Sequence, residues 1–237
     1  MSKCVLFVEG QSEQIFVREL LLHRFNWDAS QLAIRCYMLN AESLESAEYD
    51  YGEDDATHFF QLIDAHGDIK VVSAIKARAP RMVKAGFDMI VGLRDMYSRA
   101  YREMSPNSVS VELNQEFIDM AQEGIDKAGL SEHVRIHFAI MEVETWMLAL
   151  LEKWKGDVSM DDIKQFFDPE ADIEKVFHPY IVMKGITSMM GDPYEKHKDQ
   201  VNAIMAKINW EDYEELYESG RCPSFNAFLD TIKANCE

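Results

Sequence analysis

The run Cys-Val-Leu-Phe-Val at residues 4–8 stops abruptly at Glu9-Gly10 and passes into a helical pattern, with Ile15, Phe16, Leu20 and Leu21 on one stripe. A strand that is apolar at every position is buried on both faces, as in a parallel sheet covered by helices. A turn that leads at once into an amphipathic helix is the first half of a βαβ unit. Ser12 reads as the helix N-cap. This opening constrains the chain to an α/β fold.

The rest of the first two thirds continues the alternation. Residues 32–39 form a second expected strand, followed by an acidic loop over 42–55. From Thr57 the pattern of His58, Phe59, Leu62 and Ile63 reads as helical, and a further helix over 70–84 is expected to break or kink near Pro80. Gly86 precedes a strong strand over 87–93 that ends at Arg94-Asp95. A helix over 111–128 closes at Gly129. A third apolar strand covers 134–141, and a helix over 144–154 carries Trp146, Leu150 and Trp154 at four-residue intervals. The expectation is a mainly parallel sheet flanked by helices with right-handed crossovers. The sheet core should occupy residues 1–156. A helical C-terminal lobe over 157–237 should hold helices at 161–167, 192–208, 211–217 and 225–235, separated by loops at Pro179, Gly191 and Gly220.

Three of the expected strands end in acids: the first at Glu9, the one over 87–93 at Asp95, and the one over 134–141 in Glu142 and Glu144. In open parallel sheets, ligands bind beyond the carboxyl ends of the strands, so these acids should share one edge. Glu142 and Glu144, spaced i, i+2, point the same way in extended backbone, and Glu13 lies one helical turn beyond Glu9. Clustered carboxylates repel unless a cation joins them. Mg²⁺ (or Mn²⁺) is the natural occupant, being a hard ion that prefers oxygen ligands and keeps waters for phosphate oxygens. Two such ions about 3.5–4 Å apart would suit phosphodiester cleavage. Glu9 or Glu13 would then handle the proton, and Lys184 or Lys196 would offset phosphate charge.

Charge and motif content exclude several alternatives. The 237-residue chain has 24 Lys and Arg against 42 Asp and Glu, a formal charge of −18. Sequence-independent phosphate binding needs a basic surface, and no basic stripe is evident, so nucleic acid would have to be met through metal ions or a partner protein. The acids over 42–55 read as a solvated surface. Glu9-Gly-Gln-Ser-Glu13 lacks the lysine of a nucleotide-binding loop. His133 and His137 do not make a zinc site. Cys4, Cys36, Cys222 and Cys236 form no CxxC pair and suit a reducing cytoplasm. No signal peptide or membrane span is expected.

Val8-Glu-Gly-Gln-Ser-Glu-Gln-Ile-Phe-Val17 resembles the opening motif of Toprim-like proteins, nearest to an uncharacterised bacterial family that begins Val-Glu-Gly-Gln-Thr-Glu. Gly92-Leu-Arg-Asp95-Met-Tyr97 is similar to that family's Asp-x-Tyr segment, and Met141-Glu-Val-Glu-Thr-Trp-Met-Leu-Ala149 to its Glu-x-Glu segment. Asp192-Pro-Tyr-Glu-Lys196 and Arg221-Cys-Pro-Ser-Phe225 resemble its C-terminal helical region. The resemblance implies a Toprim-like core related to the OLD-type nucleases, with Glu9 as the Toprim glutamate, Asp95 as the first acid of Asp-x-Asp, and Glu142 and Glu144 as further metal ligands. Tyr97 stands where the second acid of Asp-x-Asp belongs. The function implied is a Mg²⁺-dependent, nuclease-like hydrolase working beside an ATPase partner in phage defence. The alternative is a catalytically inactive Toprim-like binding or regulatory subunit.

Overall fold

A computed structural model describes the chain apart from Glu42, Asn235 and Glu237 and the side chains of Asp68 and Ile69. Six strands, β1 (Ser2–Val8), β2 (Leu32–Asn40), β3 (Ser43–Ser46), β4 (His58–Asp64), β5 (Met89–Asp95) and β6 (Val134–Ala139), form one sheet in the order β3-β2-β4-β1-β5-β6. Every pairing is parallel except the antiparallel β2–β3 edge. The helices are α1 (Gln11–Arg24), α2 (Asp68–Lys84), α3 (Arg99–Met104), α4 (Val111–Lys127), α5 (Glu144–Ala149), α6 (Leu151–Trp154) and α7 (Met160–Ile163). Past a single 3₁₀ turn (Ile173–Lys175) come α8 (Pro179–Met189), α9 (Lys198–Met205), α10 (Trp210–Ser219) and α11 (Pro223–Ala234).

The period of two in a strand divides β1 between two cores. Cys4, Leu6 and Val8 face one core with α1, α5 and the C-terminal helices, whereas Val5 and Phe7 face another with Val71, Ile75 and Ala79 of α2 and Ile125 of α4. In the first core, Phe16 of α1, Trp146 of α5, Tyr213 of α10 and Phe225 and Phe228 of α11 form one ring cluster, with centroids 5.3–6.3 Å apart. Each such pair adds about 0.5–1.5 kcal/mol beyond its buried area, so the C-terminal helices are fastened to α1 rather than merely tethered.

Several expectations need correction. Residues 58–64 are a strand, not a helix, and lie between β1 and β2. A central parallel strand is apolar on both faces, so its short apolar run mimics helical spacing. Helix α2 runs unbroken through Pro80. The helix expected over 144–154 divides at Leu150 into α5 and α6. Pro179 opens a helix instead of marking a loop, because at the first helical position its missing N–H costs nothing. The N-cap of α1 is Gly10, not Ser12. The acidic stretch after β2 includes β3 and a bridge from Tyr51 to Ile34; its first acid, Glu42, and Asn235 at the end of the last expected helix lie outside the described residues. No described helix is long and apolar enough to cross a membrane.

Candidate metal centre

Helix α1 leaves β1 towards one face of the sheet, whereas α2 and α4, which follow β4 and β5, pack on the other. The crevice this opens beyond β1 and β5 is the kind of switch point at which α/β sheets bind ligands. Glu9 and Asp95 lie there side by side, and the Asp95 backbone N–H donates to Glu9 Oε2 at 3.0 Å. Gly10 has extended backbone (φ −159°) that any residue adopts. Its small size matters instead, since a Cβ there would lie 3.2 Å from Glu13 Oε2.

Glu142 and Glu144 reach the same crevice by a route other than the one anticipated. The chain is not extended between them. Met141 adopts left-handed backbone (φ 65°) and Val143 is helical (φ −57°, ψ −24°). This turn is held by the Val143 N–H, which donates to Asp95 Oδ1 at 2.9 Å, and by the Thr145 hydroxyl, which donates to the Ile140 carbonyl at 2.7 Å. Asp95, Glu142 and Glu144 each present a carboxylate oxygen, and the three oxygens lie within 4.8 Å of one another. These acids could hold a metal ion, and an all-oxygen donor set fits a hard one.

The C-terminal segment supplies the groups that answer this charge. Lys196 Nζ lies 3.2 Å from Glu142 Oε1 and 3.0 Å from Glu144 Oε2. The Tyr194 hydroxyl donates to Glu144 Oε1 at 2.9 Å, and the Tyr180 N–H donates to Glu142 Oε2 at 3.2 Å. Lys184 stays outside the cluster and pairs with Glu195 at 2.5 Å. An open depression of about 420 Å³ brings Glu9, Glu13, Asp95 and Lys196 to a common surface with His66 and Gly67.

One lysine does not balance the carboxylates around it. Burial, then Glu144 and Glu9, push the Glu13 carboxyl up to about 8. Burial, then Glu13, Glu9 and Glu144, hold Asp95 well above the usual carboxylate range. Burial raises Glu144 as well, against the pull of Lys196. Burial disfavours the Lys196 ammonium, yet Glu144, Glu142 and Asp95 outweigh it and keep the amine charged. Backbone strain gathers here too: Met141, His66 (φ 55°) and Lys196 (φ 59°) are left-handed non-glycine residues flanking the crevice, a conformation costing about 1–3 kcal/mol each.

A family profile matches residues 8–233, nearly the whole chain. The chain belongs to the DUF4276 family. That family is described as a domain of unknown function. The chain has no match among curated proteins or among solved structures. In this DUF4276 chain the sequence reading missed Tyr194, Tyr180 and His66. Tyr194 stands two residues before Lys196, within the Asp-Pro-Tyr-Glu-Lys stretch, and that adjacency was the available signal. It also missed Asp64, which ends β4 opposite Val8, accepts the His66 N–H at 2.7 Å and is raised by burial.

Proposed function

We propose that the centre binds Mg²⁺ or Mn²⁺ through Asp95, Glu142 and Glu144, with Glu9 beside them, and hydrolyses a phosphodiester. The observation that carries this reading is the convergence of three carboxylate oxygens within 4.8 Å at the carboxyl edge of the sheet. The strained backbone at Met141, His66 and Lys196 is consistent with it, because left-handed non-glycine residues cluster at ligand sites, although Asn26, Trp27 and Ala41 share that conformation. The motif resemblance to Toprim-like proteins supports a nuclease-like activity and, by the same resemblance, work beside an ATPase partner in phage defence. We read residues 1–156 as the catalytic core and 157–237 as a lobe that completes its site.

A bound divalent ion would supply positive charge to the phosphate and make an attacking water more acidic. The protein's own groups do the rest. Glu13, whose carboxyl burial raises in the metal-free centre, lines the depression and is placed to take or give a proton there. Lys196 lies in the same depression and is the cation that can turn from Glu142 and Glu144 to a phosphate oxygen. Asp95 holds the β6–α5 turn through Val143 N–H, which keeps Glu142 and Glu144 in place.

The test is calorimetric titration of Mg²⁺ and Mn²⁺ into the wild type, Asp95→Asn and Glu144→Gln, alongside incubation with plasmid and oligonucleotides. Saturable binding and metal-dependent cleavage in the wild type, both lost in the variants, are expected. Absence of binding of either ion by the wild type sinks the proposal. One observation favours a non-catalytic binding subunit instead. Tyr97, in the place of a second acid, packs its ring edge-on against Phe177 and His178, with centroids 5.7 and 5.2 Å away. Metal binding without cleavage of any nucleic acid would select that reading.

A further inference from the structure

Basic residues are scarce in this chain, 24 against 42 acids, yet Lys70, Lys76, Arg78, Arg81 and Lys84 all fall on α2. The sequence reading saw no basic stripe; the helix makes one. At 3.6 residues per turn, Lys70, Arg78 and Arg81 project along a single side. With Ser73 they line a groove of about 440 Å³ between α2 and the end of β2 at Leu39, and no acid lines it among the described residues. On the opposite flank of α2, Lys76 joins Arg94 and Arg99 in a second groove of about 310 Å³, again without a described acid in its lining. Helix α2 is therefore a ridge between two basic grooves, on the face of the sheet away from the C-terminal helices.

This ridge begins at the carboxylate centre. Gly67, immediately before α2, donates its N–H to the Glu9 carbonyl at 2.9 Å, and His66 and Gly67 line the carboxylate depression. We propose that the α2 face binds the phosphate backbone of a polynucleotide and leads it to the carboxylate edge. The choice of polynucleotide among polyanions rests on the phosphodiester reading above. From Lys70 to Arg81 the helix rises about 16 Å, the span of about five phosphates along one strand. The excess acid elsewhere repels a polyanion and so orients it onto this face. A lipid surface fits the first groove poorly, because no large apolar side chain is exposed among the described residues that line it or that form α2.

The experiment measures fluorescence anisotropy of short labelled single-stranded and duplex DNA with the full chain, in EDTA, across a salt series. Lys70→Ala/Arg78→Ala/Arg81→Ala is compared with wild type, and Lys70→Glu/Arg81→Glu repeats the test on two exposed positions alone. Thermal melts establish that both variants fold. The wild type should bind with affinity that falls with salt, and the triple variant should lose about tenfold or more, with a salt slope smaller by about 2–3. Calorimetric Mg²⁺ binding should persist in both variants, and the DNA binding is read in EDTA, so this proposal and the metal centre fail separately. No DNA binding by the wild type, or unchanged affinity and slope in both folded variants, overturns it. Equal binding of poly-glutamate or anionic vesicles by the wild type overturns it also.

Discussion

The Lys196 ammonium lies 3.0 Å from Oε2 of Glu144, a carboxylate with no exposed surface. Lys196 thus occupies the position of a tethered cation, and a divalent ion entering the centre competes with it for Glu142 and Glu144. Lys196→Met should destabilise the metal-free protein by about 2 kcal/mol. That is below the cost of breaking a fully buried pair, because the lysine side chain keeps 34% exposure. Mg²⁺ should then raise the Tm of Lys196→Met by more than it raises that of the wild type. Equal increments in the two proteins would rule out competition.

Tyr194 donates the other hydrogen bond to Glu144. Burial, then Glu144 itself, keeps that phenol protonated. Tyr194→Phe leaves a buried carboxylate oxygen without its donor, at a cost of about 1.5–3 kcal/mol for a bond to a charged group. Urea denaturation would show this as a lower midpoint at unchanged slope. An unchanged midpoint would mean that another group satisfies Oε1.

Glu13 predicts a pH dependence of unusual sign for an acid. Its carboxyl is raised to about 8 from 4.5, chiefly by burial. Between these values the unfolded chain has released the proton and the folded one retains it. Stability is therefore full below pH 4.5 and declines as the pH rises through 8. Glu13→Gln should flatten that decline in the metal-free protein and raise Tm near pH 8. Thermal melts from pH 5 to 8.5 check this; parallel curves for the two proteins would refute it.

His137 predicts the opposite trend. Burial, then Arg135, lowers its imidazole to about 4 from 6.5, and its Nε2 lies 2.9 Å from Thr231 Oγ1 on α11. The unfolded chain takes up the proton first, so stability is full above pH 6.5 and falls between there and pH 4. The loss is on the order of 3 kcal/mol. His137→Phe keeps a ring against Phe228, whose centroid is 5.6 Å away, and should reduce the acid loss. Equal acid sensitivity of the two proteins would assign the effect elsewhere.

The parallel sheet was legible because its signals are local. An apolar strand closed by Glu9-Gly10, and the acids after β5 and β6, announce themselves within a few residues. Even so, a local pattern could not separate strand from helix at 58–64. An apolar stretch that short satisfies both periods until its neighbours β1 and β2 are present on either side. Glu142 and Glu144 were placed at the right edge for the wrong reason, since the left-handed turn at Met141 depends on Asp95, 48 residues before the Val143 N–H it accepts.

By itself the sequence determined the α/β class, the direction of the strands and the sheet edge at which the acids gather, all of which follow from hydrophobic period and turn chemistry within single segments. Tertiary structure alone decided that Lys196 and Tyr194, respectively 52 and 50 residues beyond Glu144, close on it, and that Lys184 does not join them. It also set the cations of α2 between two grooves. These outcomes depend on how the C-terminal helices pack against α1 and α5 and how α2 packs on β5. Charge partners chosen across such separations follow from the packing of whole faces, which no local spacing encodes.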